Sequence, residues 1–177
     1  MAEKKDLKES KLFTPYKLNE HITLRNRTIR SAAFESMGKD FGPTQKLKDY
    51  HVSVAKGGVG MTTLAYASIN RSGVSFNSQL WLRDEVVEPL KDITDAIHAE
   101  GAAAGIQIGH CGNMTHWSTA GSFPVSASNG FNLYSPTLHR RMTHEEIRQT
   151  AKDFGKAVHL AHEAGFDSVE VHAGHGY

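Results

Sequence analysis

Three times along this chain an apolar stripe at helical spacing runs into a glycine, and each time a β-rich segment follows within a few residues. Thr44 heads the first stripe, with Leu47, Tyr50 and Val54 recurring before Gly57-Gly58. Asp84 heads the second, with Val86, Leu90, Ile93 and Ile97 on one face, Pro89 in its first turns and Gly101 behind it. Thr143-His144-Glu145-Glu146 has the spacing of a capping box, and Ile147, Ala151, Phe154, Val158 and Ala161 carry the third stripe towards Gly165. The segments that follow, 59–66, 103–109 and 166–172, read as buried strands. Residues 22–24 alternate in the period of a half-exposed strand, and 28–33 supply a strand ahead of the first helix. The order β-α-β-α-β-α-β builds a parallel sheet with right-handed crossovers. In such sheets chemistry gathers at the C-terminal ends of the strands. Four windows therefore carry the functional question: 31–35, 64–67, 107–112 and 172–177.

Composition removes several classes. Lys plus Arg is 20 and Asp plus Glu is 19, a net charge of +1. That balance provides no general attraction to nucleic acid or to an anionic membrane. No apolar run approaches the roughly 18 residues a membrane span needs. MAEKKDLKESK lacks the apolar stretch of a secretory signal, so residues 1–11 read as a charged, mobile tail. Cys111 is the one cysteine, which excludes an intrachain disulfide and favours a reducing compartment, the cytoplasm. A long loop is expected from 110 to 142, and loops of that length are usually functional.

Histidine is abundant, at 11 residues, but position decides what it does. His172-Ala173-Gly174-His175-Gly176-Tyr177 sets two imidazoles and a phenol directly after a buried strand. Imidazoles at i and i+3 can both aim N–H groups at one oxygen and polarise a carbonyl or nitro group. A phenol beside them can donate a proton. The same residues also permit a plain strand-end pair, or a metal rim formed with His110, Cys111 and His116, although the spacing matches no familiar zinc pattern. Gln107 is the polar residue of a strand otherwise made of Ala, Gly and Ile, so its amide needs a partner, either a neighbouring strand or a heterocyclic edge. Arg140-Arg141 reads as a solvated step, and Gly57-Gly58-Val59-Gly60 as a helix stop with close packing, since phosphate loops follow a strand and open a helix.

With these residues placed, the chain resembles the Old Yellow Enzyme family of FMN-dependent NAD(P)H:flavin oxidoreductases. Four segments carry the resemblance: 12–15 through 24–29, Gly57-Gly58-Val59-Gly60 before Leu64-Ala65, Gly105-Ile106-Gln107-Ile108-Gly109-His110-Cys111-Gly112, and Val169-Glu170-Val171-His172-Ala173-Gly174-His175-Gly176-Tyr177. The last is the most specific. The resemblance implies a (β/α)8 TIM barrel with FMN across its C-terminal mouth. Hydride passes from NADH or NADPH to the flavin and then to an activated alkene. It further implies that His172 and His175 bind the substrate's carbonyl or nitro oxygen and that Tyr177 protonates the neighbouring carbon. Gln107 would bond the pyrimidine edge of the flavin, with Ala32, Ala33 and Ala65 packed or bonded near the ring. Three places depart from the family pattern: Phe34 stands where many members carry Thr or Cys beside the flavin, Asn113 where the third motif usually ends in Arg, and Ser31-Ala32-Ala33 where a Pro-containing turn is commoner.

A complete barrel of this type needs about 250 residues, and this chain has 177. The expectation is the N-terminal half, about four βα units over 12–177, cut after the fourth strand. Any iron–sulfur cluster of the larger relatives would belong to a part beyond Tyr177. A half sheet leaves an open edge and an uncovered apolar face, where a homo-oligomer could form. Two rival readings remain open at this point. One is a non-catalytic half-barrel that binds or assembles. The other is a metal-dependent βα-barrel enzyme using His172 and His175.

Overall fold

A computed structural model describes residues 10–176 of the chain. Most of the expected tail, and Tyr177, lie outside the described residues. Regular structure begins slightly before the expected boundary, because Ser10 Oγ accepts from the Leu12 amide and caps a 3-10 turn, Lys11–Phe13.

The elements in chain order are β1 (Tyr16–Lys17), β2 (Thr23–Leu24), β3 (Ile29–Arg30), α1 (Gln45–Lys56), β4 (Met61–Ser68), β5 (Leu80–Trp81), α2 (Val87–Ala99), β6 (Ala103–Gly109), α3 (Trp117–Ala120), β7 (Val125–Ser126), β8 (Gly130–Asn132), β9 (Thr137–Arg141), α4 (His144–Glu163) and β10 (Ser168–Val171). Strands β3, β4, β6 and β10 lie side by side in that order and all run parallel. This is the arrangement of the first four strands of a (β/α)8 barrel.

The helices begin where their hydroxyls predict. Thr44 Oγ1 accepts from the Leu47 amide at 3.3 Å. Thr143 and Glu146 close a complete capping box at α4. Asp84 instead opens a 3-10 turn, Asp84–Val86, and α2 proper starts at Val87 without a side-chain cap. The fixed φ of Pro89 suits that first turn.

The core lies between the sheet and its helices. Leu64, Ile106 and Ile108 meet Leu90, Ile93 and Ile97 of α2 and Leu160 of α4. Each such aliphatic side chain, fully buried, contributes about 1.5–3 kcal/mol. The buried face of α1 is Leu47, His51 and Ala55, rather than Leu47, Tyr50 and Val54. His51 can be buried because Thr62 Oγ1 sits 2.8 Å from its Nδ1. On α4 the expected stripe is covered only towards its C-terminal end: Ile147 and Val158 remain exposed, as does Val171 of β10. They border the open edge of the sheet, where Ile147, Phe154 and Val171 line a cavity of about 510 Å³.

Two departures from the expected strands shape the mouth. The segment 28–33 is a strand for two residues only, because the upper edge of β4 is taken by β5, with Ala67 opposite Leu80 and Ser68 opposite Trp81. Residues 31–36 therefore leave the sheet as a loop. In addition, β4 carries a bulge. Leu64 pairs with Ile106 and Ala67 with Ile108, so three steps on β4 match two on β6. The extra residue reverses the alternation, which puts Ala67 and Ile69 in the core with Leu64. The expected long loop is also structured. It holds α3 and a small sheet in the order β7-β9-β8.

At the opposite end Arg25 closes the base. Its Nε donates to the Val59 carbonyl at 2.9 Å and Nη1 to the Glu100 carbonyl at 2.7 Å, while Nη2 bonds the Ala55 carbonyl. One guanidinium thus serves carbonyls at the C-terminal ends of α1 and α2, which a helix cannot satisfy internally. No helix among the described residues is long and apolar enough to cross a membrane.

Two glycines make opposite predictions. A Cβ on Gly60 would stand 2.5 Å from the Asn26 carbonyl oxygen, whereas one on Gly155, inside α4, meets nothing within 4 Å. Gly60→Ala is expected to destabilise by about 1–3 kcal/mol and Gly155→Ala to stabilise by about 0.5–1 kcal/mol. Urea unfolding of the two variants checks both signs.

Candidate active site

The side of the sheet turned away from the helices is narrow and polar. On β6, Ala104, Ile106 and Ile108 enter the core, so Gly105, Gln107 and Gly109 face the other way. On β10, Ser168 is in register with Gly105 and Glu170 with Gln107. Gln107 Nε2 donates to Glu170 Oε1 at 2.5 Å. The amide's partner is therefore the neighbouring strand, one of the two partners its sequence position allowed.

His172 extends this column. Its amide donates to the Ile108 carbonyl at 2.8 Å, continuing the ladder past β10. Gly109 makes room beside it, since an added Cβ would lie 3.1 Å from His172 Cβ. His175 then adopts a left-handed conformation, with φ of 66°. That turn folds it back on His172, with His175 Nδ1 at 3.1 Å from His172 Nε2. One of these nitrogens donates to the other. They also stand close enough for a single oxygen to sit about 2.9 Å from both, accepting two N–H groups once both carry a proton.

An aromatic wall adjoins the pair. The bulge turns Tyr66 to this side, with its ring 5.7 Å from that of His172 and its hydroxyl 2.6 Å from Ser75 Oγ. Phe34 lies 6.0 Å from Tyr66 and stacks on Phe76 at 5.4 Å. Neither Tyr66 nor Phe76 is recognisable from spacing, because the bulge that aims Tyr66 has no periodic signal. Ala65 is buried and Ala33 exposed at the same rim, with Ala32 half-buried. Their backbones are already engaged: the Ala65 amide donates to Glu35 Oε2 at 3.1 Å and the Ala33 carbonyl accepts from Arg30 Nη2 at 3.1 Å. A ligand bonding the Ala65 amide would have to displace a carboxylate. Tyr177 is outside the described residues.

The metal rim disperses. His110 Nδ1 accepts from the Gly112 amide at 3.0 Å, and its Nε2 lies 3.3 Å from Ser72 Oγ. Ser72 gives its own proton to Asn70 Oδ1, so His110 must donate through Nε2. Burial holds the His110 pKa below its usual value, with the charge of Asp153 opposing the shift. Burial also pushes the Cys111 thiol up to about 11, which leaves it protonated and unreactive near neutrality. His116 caps α3 by accepting from the Ser118 amide. Among the described residues, no three His, Cys, Asp or Glu gather to hold a metal ion.

Asn113, at the position where the motif usually ends in Arg, accepts from Asn132 Nδ2 through its backbone and its side chain, both at 3.1 Å. Arg140 is not simply solvated. It forks onto Glu146 at 2.8 and 2.5 Å, pinning β9 to the start of α4.

These features define one half of a βα barrel with its polar groups collected at the C-terminal strand ends. The family can be stated more narrowly. The NADH:flavin oxidoreductase / NADH oxidase family model matches residues 11–177, and the chain belongs to that family. It is 36% identical over 172 residues to an NADPH dehydrogenase of Listeria welshimeri, covering 95% of this chain and 49% of the relative. It is 34% identical over 166 residues to a 4,4'-dithiodibutanoate disulfide reductase of Rhodococcus erythropolis, covering 94% and 41%. The Old Yellow Enzyme homologue of Zymomonas mobilis superposes with a TM-score of 0.85 at 26% identity, over 95% of this chain and 50% of that one. The chain thus spans about half the length of the proteins it matches.

The Arg140–Glu146 pair makes a prediction about pH. The Arg140 bonds, followed by the Thr143 amide, lower the Glu146 carboxyl from 4.5 to about 2. The stabilisation is complete above the ordinary value and is lost as pH falls towards the lowered one. The first turn of α4 is expected to stay ordered at pH 4 and fray by pH 2. Arg140→Ala should return the Glu146 midpoint towards 4.5, as followed by side-chain carboxyl NMR.

Proposed function

We propose that the whole protein is an FMN-dependent, NAD(P)H-driven reductase of activated alkenes, and that this chain supplies the substrate-oxygen site and one edge of the flavin site. The observation that carries the proposal is the His172–His175 pair, 3.1 Å apart at the C-terminal end of β10. With both facing nitrogens protonated and the bond between them given up to a substrate oxygen, the two N–H groups draw electron density from a conjugated alkene and make its β-carbon electrophilic.

The residues present suit a flavin edge. Gly105 and Gly109 leave the inner face of β6 low, and Gln107 between them offers both a donor and an acceptor. Glu170 holds that amide in one orientation. Ala32, Ala33 and Ala65 border the same mouth without bulk. When bound there, FMN would supply the hydride carrier between the nicotinamide and the alkene.

The chain's own residues do the remaining work. His172 and His175 hold and polarise the carbonyl or nitro oxygen. Tyr66, Phe34 and Phe76 give the bound alkene an apolar wall that excludes water. The Tyr177 hydroxyl delivers the proton to the carbon next to the polarised group, so the two hydrogens arrive at adjacent carbons. We take the reaction to be cytoplasmic, with small molecules as partners.

Tyr177→Phe in the whole protein is the test. Reduction of the flavin by NADPH or NADH should be unchanged within about twofold, while reoxidation by 2-cyclohexenone slows by about 10²–10⁴. Stopped-flow absorbance of the flavin separates the two half-reactions. Equal slowing of both would remove Tyr177 from this role, and a whole protein that carries no flavin would end the proposal.

A further inference from the structure

The bulge in β4 takes Ala65 out of the regular ladder, and a buried amide must find an acceptor. It finds Glu35 Oε2 at 3.1 Å. The Glu35 side chain is only 3% exposed and is surrounded by positive or donor groups. Arg30 Nη1 donates to its Oε1 at 2.5 Å. His51 Nε2 stands 3.3 Å from the same oxygen, near enough for attraction but not aligned for a hydrogen bond. Arg30 spreads further, to the Thr63 carbonyl at 2.5 Å and the Ala33 carbonyl at 3.1 Å, with its guanidinium 5.3 Å over the Tyr50 ring.

A buried ion pair is a poor way to hold a loop to a sheet, because an apolar pair of similar volume does this as well or better. An apolar pair cannot accept the bulge amide. We propose that Glu35 is a positioning residue: it fixes the β4 bulge, which turns Tyr66 to the mouth, and through Arg30 it sets the Ala33 backbone against that of Ala65. The inference rests on the flavin reading above for its functional consequence. It does not make Glu35 a group that touches substrate or cofactor.

The test is the double variant Arg30→Met/Glu35→Leu in the whole protein, which removes both charges together and so strands neither. Circular dichroism and cooperative unfolding should match the parent. In the flavin-free protein, amide exchange at Ala65 should accelerate by at least about 10-fold while Leu64 and Ala104 keep their protection. The FMN dissociation constant should rise about 10-fold. If the folded double variant keeps parental exchange at Ala65, or loses it without any change in FMN affinity, the proposal is overturned. Should the double variant not fold, Glu35→Ala, which also removes the acceptor of the Ala65 amide, is read by the same two measurements, with the same outcomes deciding. A parent that binds no FMN sinks the flavin reading and with it the functional half of this proposal. A parent that binds FMN as tightly as the variant sinks this inference alone.

Discussion

The pairing of β4 with β6 is the contact on which the rest of the molecule is hung. Below the bulge the two strands run in simple parallel register, and Leu64 and Ile106 reach the helices together. Above it the register resumes one residue later on β4. The core is unaffected, since Ala67 and Ile69 take the inward places. The other face is changed entirely. In unbroken alternation Tyr66 would follow Thr62 and Leu64 towards the helices, where a phenol would need a buried partner. Instead it stands beside His172, with its hydroxyl hydrogen-bonded to that of Ser75. A single inserted residue thus lets one strand serve a tightly packed layer and an open polar mouth.

Much of the fold is legible in the sequence, because most of it is periodic. Residues 103–109 form the strand that their Ala, Gly and Ile content indicates, with the same limits. The capping box at Thr143 and the glycine stops carry the helix boundaries. What escapes periodicity is any feature settled between distant segments. β5 takes the upper edge of β4 by virtue of a turn, and its two residues leave no pattern of their own. The small sheet within 110–142 is too short-stranded to alternate visibly. His51 looks like a surface histidine until Thr62 and Glu35 are found beside it. The site divides in the same way. The histidine pair is local in sequence and can be read directly, whereas the aromatic wall and the Glu35 cluster join residues distant in the sequence, the latter including His51 of α1.

The polar groups of the mouth are of two kinds. Gln107 and Glu170 bond across adjacent strands, and His172 and His175 bond to each other just past the end of β10. They face the mouth, away from the helices, and can exchange one partner for another at little cost. Arg30, Glu35 and His51 are enclosed, and each loss there would leave a charge or a donor without water. The adaptable groups are therefore the ones at the open mouth, and the enclosed ones bond the backbone behind it. His110, half-buried, stands between the two sets: its tautomer is dictated on both sides, and burial lowers its pKa.

Arg25 has a consequence that lies in time rather than space. Its three carbonyl partners belong to Ala55, Val59 and Glu100, the last 75 residues further along the chain. On a chain synthesised from its N-terminus, this side chain is made before any of them: two partners arrive with the end of the first helix, and the third only after the second. The base of the sheet is therefore sealed from its beginning but only after its middle exists. Until then Asn26, which donates to the Gly58 carbonyl, and the first two carbonyl partners of Arg25 are what tie the segment after the hairpin to the growing layer.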